Sequence, residues 1–145
     1  MSDAFDLFVE NYHRGLDAFV QGNPGPAKEL FSRREDVSLA NPLGPPVRGW
    51  IEVEKTMERA VANFREGEPN RFERISGFYG TELAYIVEIE RTRAKLGGSG
   101  EPSPVALRVT TIFRVEDGAW RVLHRHADPI TVPRPIESIV ADVEG

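Results

Sequence analysis

The chain has 145 residues, of which 40% are hydrophobic and 28% charged, and its formal net charge at pH 7 is −5. This length and composition predict one globular domain over residues 1–145, and the acidic balance disfavours a nucleic-acid partner, which would need a basic surface. The absence of cysteine excludes disulfides and thiolate metal sites. No apolar run approaches the roughly 20 residues that cross a bilayer, and the N-terminus lacks a signal-peptide pattern, so we expect a cytoplasmic protein without a membrane partner.

The first half of the sequence predicts helices. Apolar residues recur at helical spacing from residue 5 to residue 20, and the Gly- and Pro-rich residues 22–26 end this first helix. A short second helix follows around residues 27–31. Residues 37–40 form a short strand before a proline-rich break, and a third helix is predicted over residues 50–66.

The second half changes to the period of a strand. Four strands are predicted, at residues 72–79, 83–91, 105–115 and 119–128. A flexible loop at residues 96–104 and a hairpin turn at residues 116–118 connect the last three strands. Helices followed by successive antiparallel strands indicate an α+β protein rather than alternating βαβ units.

Both faces of the predicted sheet carry large apolar side chains. Ile112 and Trp120 lie opposite Phe113 and Leu123 in the alternating pattern. One face must meet the helices, and the other would be exposed in a monomer. We therefore expect a homodimer that packs through the sheet.

Two segments carry a resemblance to a known family. Residues 36–49, with Asn41-Pro42-Leu43-Gly44, and residues 118–128, with Trp-x-x-x-His-x-His, resemble SnoaL-like polyketide cyclases and ketosteroid isomerases of the nuclear transport factor 2-like superfamily. The association domain of calcium/calmodulin-dependent kinase has a similar last strand. The resemblance implies a cystatin-like cone fold over a core of residues 4–129, with a tail at residues 130–145. In that fold three N-terminal helices pack on a curved antiparallel sheet and close a ligand-binding pocket.

The acids that ketosteroid isomerases use are replaced in this chain. The resemblance places the general base of those enzymes at Asn41, and an amide cannot accept a proton at neutral pH. Their protonated Asp falls on Thr111, and their helix-one Tyr corresponds to Tyr12. Steroid isomerisation by that mechanism is therefore not expected, and the catalytic residues stay unassigned.

The last strand offers two sets of side chains that could face the pocket. If His124 and His126 point inward, they could form a metal pair or supply a general base. The resemblance instead puts Leu123, Arg125 and Ala127 on the pocket face. No third metal ligand is evident, so we expect neither a metal nor another cofactor.

An inward-facing Arg125 would need a partner, since an unpaired buried charge is costly. Glu88 or Glu90 could serve, and so could a carboxylate, enolate or phenolate of the ligand; alternatively Arg125 faces solvent. Further wall residues are expected at Met57, Phe64, Ile89 and Val109. The predicted ligand-binding set is Tyr12, Asn41, Trp50, Tyr85, Val87, Thr111, Phe113, Leu123 and Arg125.

Three functions are compatible with these residues. The first is an isomerase or cyclase that acts on a small apolar carbonyl or aromatic compound by electrostatic polarisation. The second is a non-catalytic dimeric module for small-molecule binding or assembly. The third, an epoxide-hydrolase-like activity, needs two inward Asp residues that the sequence does not place. The expected ligand is a small apolar or anionic organic molecule.

Overall fold

Residues 3–142 are described by a computed structural model, in which helices pack against one curled sheet. The helices are α1 (Asp3–Val20), α2 (Gly25–Lys28) and α3 (Trp50–Val61), and a 3₁₀ turn covers Ile136–Ile139. The strands are β1 (Ser38–Ala40), β2 (Val47–Arg48), β3 (Phe64–Arg65), β4 (Arg71–Tyr79), β5 (Leu83–Leu96), β6 (Pro102–Glu116) and β7 (Ala119–Asp128). No helix within residues 3–142 combines the length and apolar character that crossing a bilayer requires.

The strands form a mixed sheet in the order β2-β1-β7-β6-β5-β3, and β4 also pairs with β5. Neighbouring strands are antiparallel except β1 and β7, which run parallel with Ser38 opposite His124. The predicted α+β cone, with helices against a curved sheet, is confirmed. The single parallel pair arises because β1 comes from the helical half of the chain and docks on the edge of the last strand.

The largest differences between the structure and the predicted element bounds are at the end of α3 and in the loop between β5 and β6. α3 ends at Val61, because the chain then turns and residues 64–65 pair with Leu96 and Lys95 of β5. The loop predicted at residues 96–104 is shorter, because β5 and β6 continue pairing as far as Lys95 and Pro102. A proline is tolerated there because it is the first residue of its strand.

The hairpin between β6 and β7 is the one that the sequence predicts. Its two turn residues, Asp117 and Gly118, both have positive φ, at 52° and 83°. This combination belongs to the tight turns whose twist matches that of the flanking strands. The turn therefore fixes where β7 begins to pair with β6.

A β-bulge in this hairpin sets which side chains of β7 face the helices. Ile112 pairs with His124, but the next residue, Phe113, pairs with Val122, so Leu123 is the extra residue on β7. Val122 is fully buried in its place. Leu123, which was expected at the pocket, is half-buried and is not among the residues that line the cavity between the helices and the sheet.

The core centres on Phe113, which is fully buried on β6. Its ring makes edge-to-face contacts with Phe5, Phe8 and Tyr12 of α1, at centroid distances of 5.2, 5.8 and 5.5 Å. These contacts place α1 across the inner face of the sheet, which is the face that the helices cover. The pocket therefore has to form beside this cluster, nearer the other ends of β6 and β7.

Candidate functional site

A cavity of about 360 Å³ lies between the helices and the inner face of the sheet. Most of its wall is apolar and comes from all three helices, the strands and the loops between them. Representative wall residues are Leu16, Phe19, Leu39, Met57, Leu107 and Ala127. This volume and apolar character are typical of sites for small organic molecules.

An ion pair lies in the wall of the cavity. Arg125 Nη1 and Nη2 donate to Glu90 Oε2 and Oε1 at 2.9 and 2.8 Å, and the exposed fractions of the two side chains are 12% and 5%. Burial by itself lowers the pKa of Arg125, but the adjacent Glu90 carboxylate outweighs it and the pKa is raised overall. Arg125 is therefore a permanent cation, and Glu90 is the partner that its burial requires.

Tyr12 and Thr111 lie behind the ion pair and hold Arg125 in place. Arg125 Nη1 donates to Tyr12 Oη at 2.7 Å, and this oxygen shares a second hydrogen bond with Thr111 Oγ1 at 2.8 Å. Burial raises the pKa of Tyr12, so its hydroxyl stays protonated at neutral pH. Tyr12 and Thr111, both predicted to bind the ligand, thus influence the cavity by holding Arg125 in position.

Asn41 reaches the cavity wall from the proline-rich segment that follows β1. Its Oδ1 accepts the backbone N–H of Leu43 at 2.9 Å, which holds the loop in a tight turn. Pro42 and Leu43 complete this part of the wall. The position that the family resemblance assigns to the general base therefore does line the cavity, but as an amide.

Tyr85 and Val87 lie on the outer face of the sheet, so the prediction that they face the pocket is wrong. The buried residues of β5 are the even-numbered positions from Ala84 to Ala94. Successive side chains of a strand point to opposite faces. The strand that sends Glu90 inward must therefore send residues 85, 87 and 89 outward.

The remaining predicted wall residues divide between core and cavity. Phe113 is on the inner face but belongs to the packed core, and Trp50 packs at the edge of that core beneath the guanidinium of Arg33, at 3.8 Å from the ring centre. Met57 and Phe64 do line the cavity. The sequence pattern identifies apolar faces correctly here but does not separate packed core from open space.

The structure resolves which side chains of β7 face the cavity: Arg125 faces it, and the histidines do not. His124 Nδ1 lies 2.7 Å from Ser38 Oγ, and burial together with the charge of His126 lowers its pKa. His126 is 52% exposed and lies 3.3 Å from Asp128 Oδ2. Within residues 3–142, no group of three or more potential His, Cys, Asp or Glu ligands is placed to hold a metal ion.

A second buried carboxylate, Glu88, lies on the same face of β5 as Glu90. It accepts hydrogen bonds from His13 Nε2 at 2.7 Å and from Arg74 Nε at 2.9 Å, and His13 stacks on Phe72. Burial raises the pKa of Glu88, but His13 and Arg74 outweigh burial and the pKa is lowered overall. This cluster ties α1 to β4 and β5.

In the sequence analysis, Glu88 and Glu90 are named only as possible partners for Arg125. The alternation of side chains along β5 carries a stronger signal about which face of this strand is inside. Because residues 88 and 90 share a face with 84 and 86, any inward carboxylate on this strand excludes inward Tyr85 and Val87. The need of Arg125 for a partner could therefore have fixed the orientation of the whole strand.

No protein-family model matches the chain, and no curated protein matches it. Solved structures do match. A ketosteroid isomerase-like protein from Erwinia carotovora atroseptica is 14% identical with a TM-score of 0.72, and the match covers 89% of this chain and 95% of that one. A nuclear transport factor 2-like superfamily protein from Salmonella enterica serovar Typhimurium is 18% identical with a TM-score of 0.69, covering 92% and 93%.

An uncharacterised protein with a cystatin-like fold from Caulobacter vibrioides is 18% identical with a TM-score of 0.64, and the match covers 89% of each chain. At such identities the likeness concerns the backbone and not the reaction. The near-complete coverage means that the similarity extends over helices and sheet together. The chain therefore has the cone-shaped fold of nuclear transport factor 2-like proteins, as the motifs at residues 41–44 and 120–126 predicted.

Proposed function

We propose that the chain binds a small, largely apolar organic molecule in the cavity between its helices and its sheet. The observation that carries this proposal is a largely apolar cavity of about 360 Å³ whose wall includes the buried ion pair of Arg125 and Glu90. Clefts of this size and lining bury most of the surface of a small ligand, while a few polar groups fix its orientation.

The geometry supports ligand binding better than acid–base catalysis. Both carboxylate oxygens of Glu90 already accept hydrogen bonds from Arg125. The histidines of β7 are on the outer face, and Asn41 cannot accept a proton. Among the described residues of the cavity wall, none is thus placed as an unengaged general base.

An isomerase or cyclase acting on a carbonyl compound is the second candidate, and one observation favours it. The hydrogen bonds to Tyr12 and Glu90 use both Nη1 hydrogens and one Nη2 hydrogen of Arg125. The Nε–H and the other Nη2–H therefore remain to donate to a carbonyl oxygen. Donors that are fixed before the substrate arrives stabilise negative charge as it develops on that oxygen.

Filling the cavity is expected to abolish binding. The fluorescence of N-phenyl-1-naphthylamine, a neutral apolar dye, should rise on binding to the wild-type chain. Leu107→Trp places a larger side chain in the wall and should weaken this binding at least tenfold. Leu83→Trp makes the same change at a residue that is 49% exposed, and it should leave the affinity unchanged.

Dye binding that is absent, or equal in both variants, would contradict the proposal. Chromatography of carbonyl ligands recovered from the protein separates the two candidate functions. Unchanged ligand supports a binding module. A converted product that Arg125→Gln no longer forms would support carbonyl chemistry.

We also propose that two copies of the chain pair through the outer face of the sheet. This face carries an apolar patch, defined here as Phe78, Tyr85, Val87, Ile89 and Ile112. Phe78 is 54% exposed and Tyr85 38% exposed, and their rings stack at 6.3 Å. Contiguous apolar surface of this kind is typical of an interface, and a second copy presents the same surface by symmetry.

Light scattering after size-exclusion chromatography tests this pairing. The wild-type chain should have the mass of a dimer, and Tyr85→Glu should have the mass of a monomer because it buries charge at the centre of the patch. Leu7→Glu, on the solvent side of α1 at a residue that is 58% exposed, should remain dimeric. A monomeric wild-type chain would refute the pairing.

A further inference from the structure

We infer that Glu90 is a specificity-determining residue that makes the cavity select neutral carbonyl compounds and reject carboxylates. This inference rests on the proposed function, because it names the class of ligand that the same cavity takes. It replaces the broader expectation of an apolar or anionic ligand with one that follows from the charges on the wall.

The first step concerns the net charge of the cavity. Among the described residues that line it, Glu90 and Arg125 are the only charged ones. They are joined by two hydrogen bonds of 2.9 and 2.8 Å, and Glu90 is nearly inaccessible to solvent. The sequence alone suggests that the Arg125 guanidinium could bind an anion. Its charge is, however, already neutralised by Glu90.

The second step concerns what an anionic ligand would meet. A carboxylate that approached Arg125 would come close to the like charge of Glu90 in a poorly hydrated site, where such repulsion is strong. If it displaced Glu90 instead, that carboxylate would stay buried without its partner, which is equally unfavourable. Either arrangement weakens the binding of an anion relative to a neutral molecule of the same shape.

The third step concerns what Arg125 can still bind. Its Nε–H and remaining Nη2–H lie on one edge of the guanidinium, the edge with which Arg108 holds both oxygens of Asp128 in this chain, at 3.0 and 2.8 Å. A carbonyl oxygen can accept from both donors without bringing a charge into the cavity. Tyr12 holds Arg125 by its Nη1, which is not part of this edge, at 2.7 Å.

Two ligands of nearly identical shape test the inference. 2-Acetylnaphthalene and 2-naphthoate differ in whether the carbonyl carbon bears a methyl group or a negatively charged oxygen. Titration calorimetry at neutral pH should show that the wild-type chain binds the ketone at least tenfold more tightly. In Glu90→Gln the charge of Arg125 is no longer compensated, and this preference should shrink at least tenfold or reverse.

Glu88→Gln is the matched control, because Glu88 is a second buried and ion-paired carboxylate of the same strand that lies outside the cavity wall. It should keep the wild-type preference. Equal affinities of the wild-type chain for the two ligands, or tighter binding of naphthoate, would overturn the charge selection and leave the proposed function intact. If the wild-type chain bound the dye but neither naphthyl ligand, the inference would fail and the proposed function would stand. If it bound neither the dye nor the ligands, both would fail.

A comparison on the wild-type chain alone tests the selection by charge even where Glu90→Gln does not fold. Methyl 2-naphthoate keeps the skeleton of 2-naphthoate and removes only its charge. Tighter binding of this ester by at least tenfold supports selection by charge. Equal binding of the ester and the anion would overturn it.

Discussion

Replacing Arg125 with alanine is expected to lower the free energy of unfolding by about 3–5 kcal/mol, the range typical of removing one partner from a buried ion pair. Glu90 is 4% exposed and would lose both hydrogen bonds that compensate its charge. Tyr12 would lose a donor at the same time. Urea denaturation at neutral pH, followed by circular dichroism, measures the change.

Arg108→Ala is the matched control for this experiment. Arg108 holds Asp128 by the same two-bond geometry, at 3.0 and 2.8 Å, but its side chain is 50% exposed. Exposed ion pairs contribute less than about 1 kcal/mol. If the two variants lost similar stability, Glu90 would not depend on Arg125 for its burial.

A double replacement distinguishes the cost of a broken pair from the value of an intact one. In Glu90→Gln with Arg125→Met, no charge remains in the cavity wall among the described residues. Replacing a buried ion pair by neutral side chains of similar size is often close to neutral for stability. We therefore expect the double variant to be more stable than Arg125→Ala.

Phe113→Ala is expected to have a comparably large effect, a loss of about 3–5 kcal/mol. The ring is fully buried and contacts Phe5, Phe8 and Tyr12, so its removal leaves a cavity that rigid neighbours cannot fill. These contacts attach α1 to the sheet, so α1 is the element most affected. The same denaturation experiment measures the loss.

Phe113→Leu retains part of the apolar volume and should lose less stability than Phe113→Ala. Leu7→Ala truncates a side chain of α1 that is 58% exposed and should change stability by less than about 0.5 kcal/mol. A Phe113→Ala chain as stable as Leu7→Ala would show that Phe113 does not anchor α1 to the sheet.

Local sequence signals predicted the elements whose form depends on neighbouring residues. The apolar spacing of α1 and the Gly- and Pro-rich residues after it predicted the helix and its end. Asp117-Gly118 predicted the hairpin, because these residues tolerate the positive φ that the turn requires. The motifs at residues 41–44 and 120–126 predicted the fold.

Local signals misjudged the ends of elements that pair over long distances. Residues 64–65 continue the composition of α3, yet they leave the helix because β5 supplies a strand partner at Lys95 and Leu96. Pro102 suggested a loop, yet β6 begins there because β5 extends far enough to pair with it. In both cases tertiary pairing outweighs local propensity.

The orientation of the site is the part that only the tertiary structure decided. Alternation along β5 and β7 defines two faces for each strand, and the sequence by itself shows both sets of side chains without saying which is inside. The apolar side chains of Tyr85 and Val87 on β5 were expected to face inward. Pairing with β6 instead puts Glu88 and Glu90 on the inner face, which they share with Phe113.

The sequence by itself determined the class of fold and showed that a buried Arg125 would need a partner, because those conclusions depend on local pattern and on the cost of burying a charge. The tertiary structure decided that the partner is Glu90, that the bulge at Leu123 leaves Arg125 inside, and that the histidines lie outside. The reason is that a strand has two faces, and only its pairing register selects the one that the helices cover.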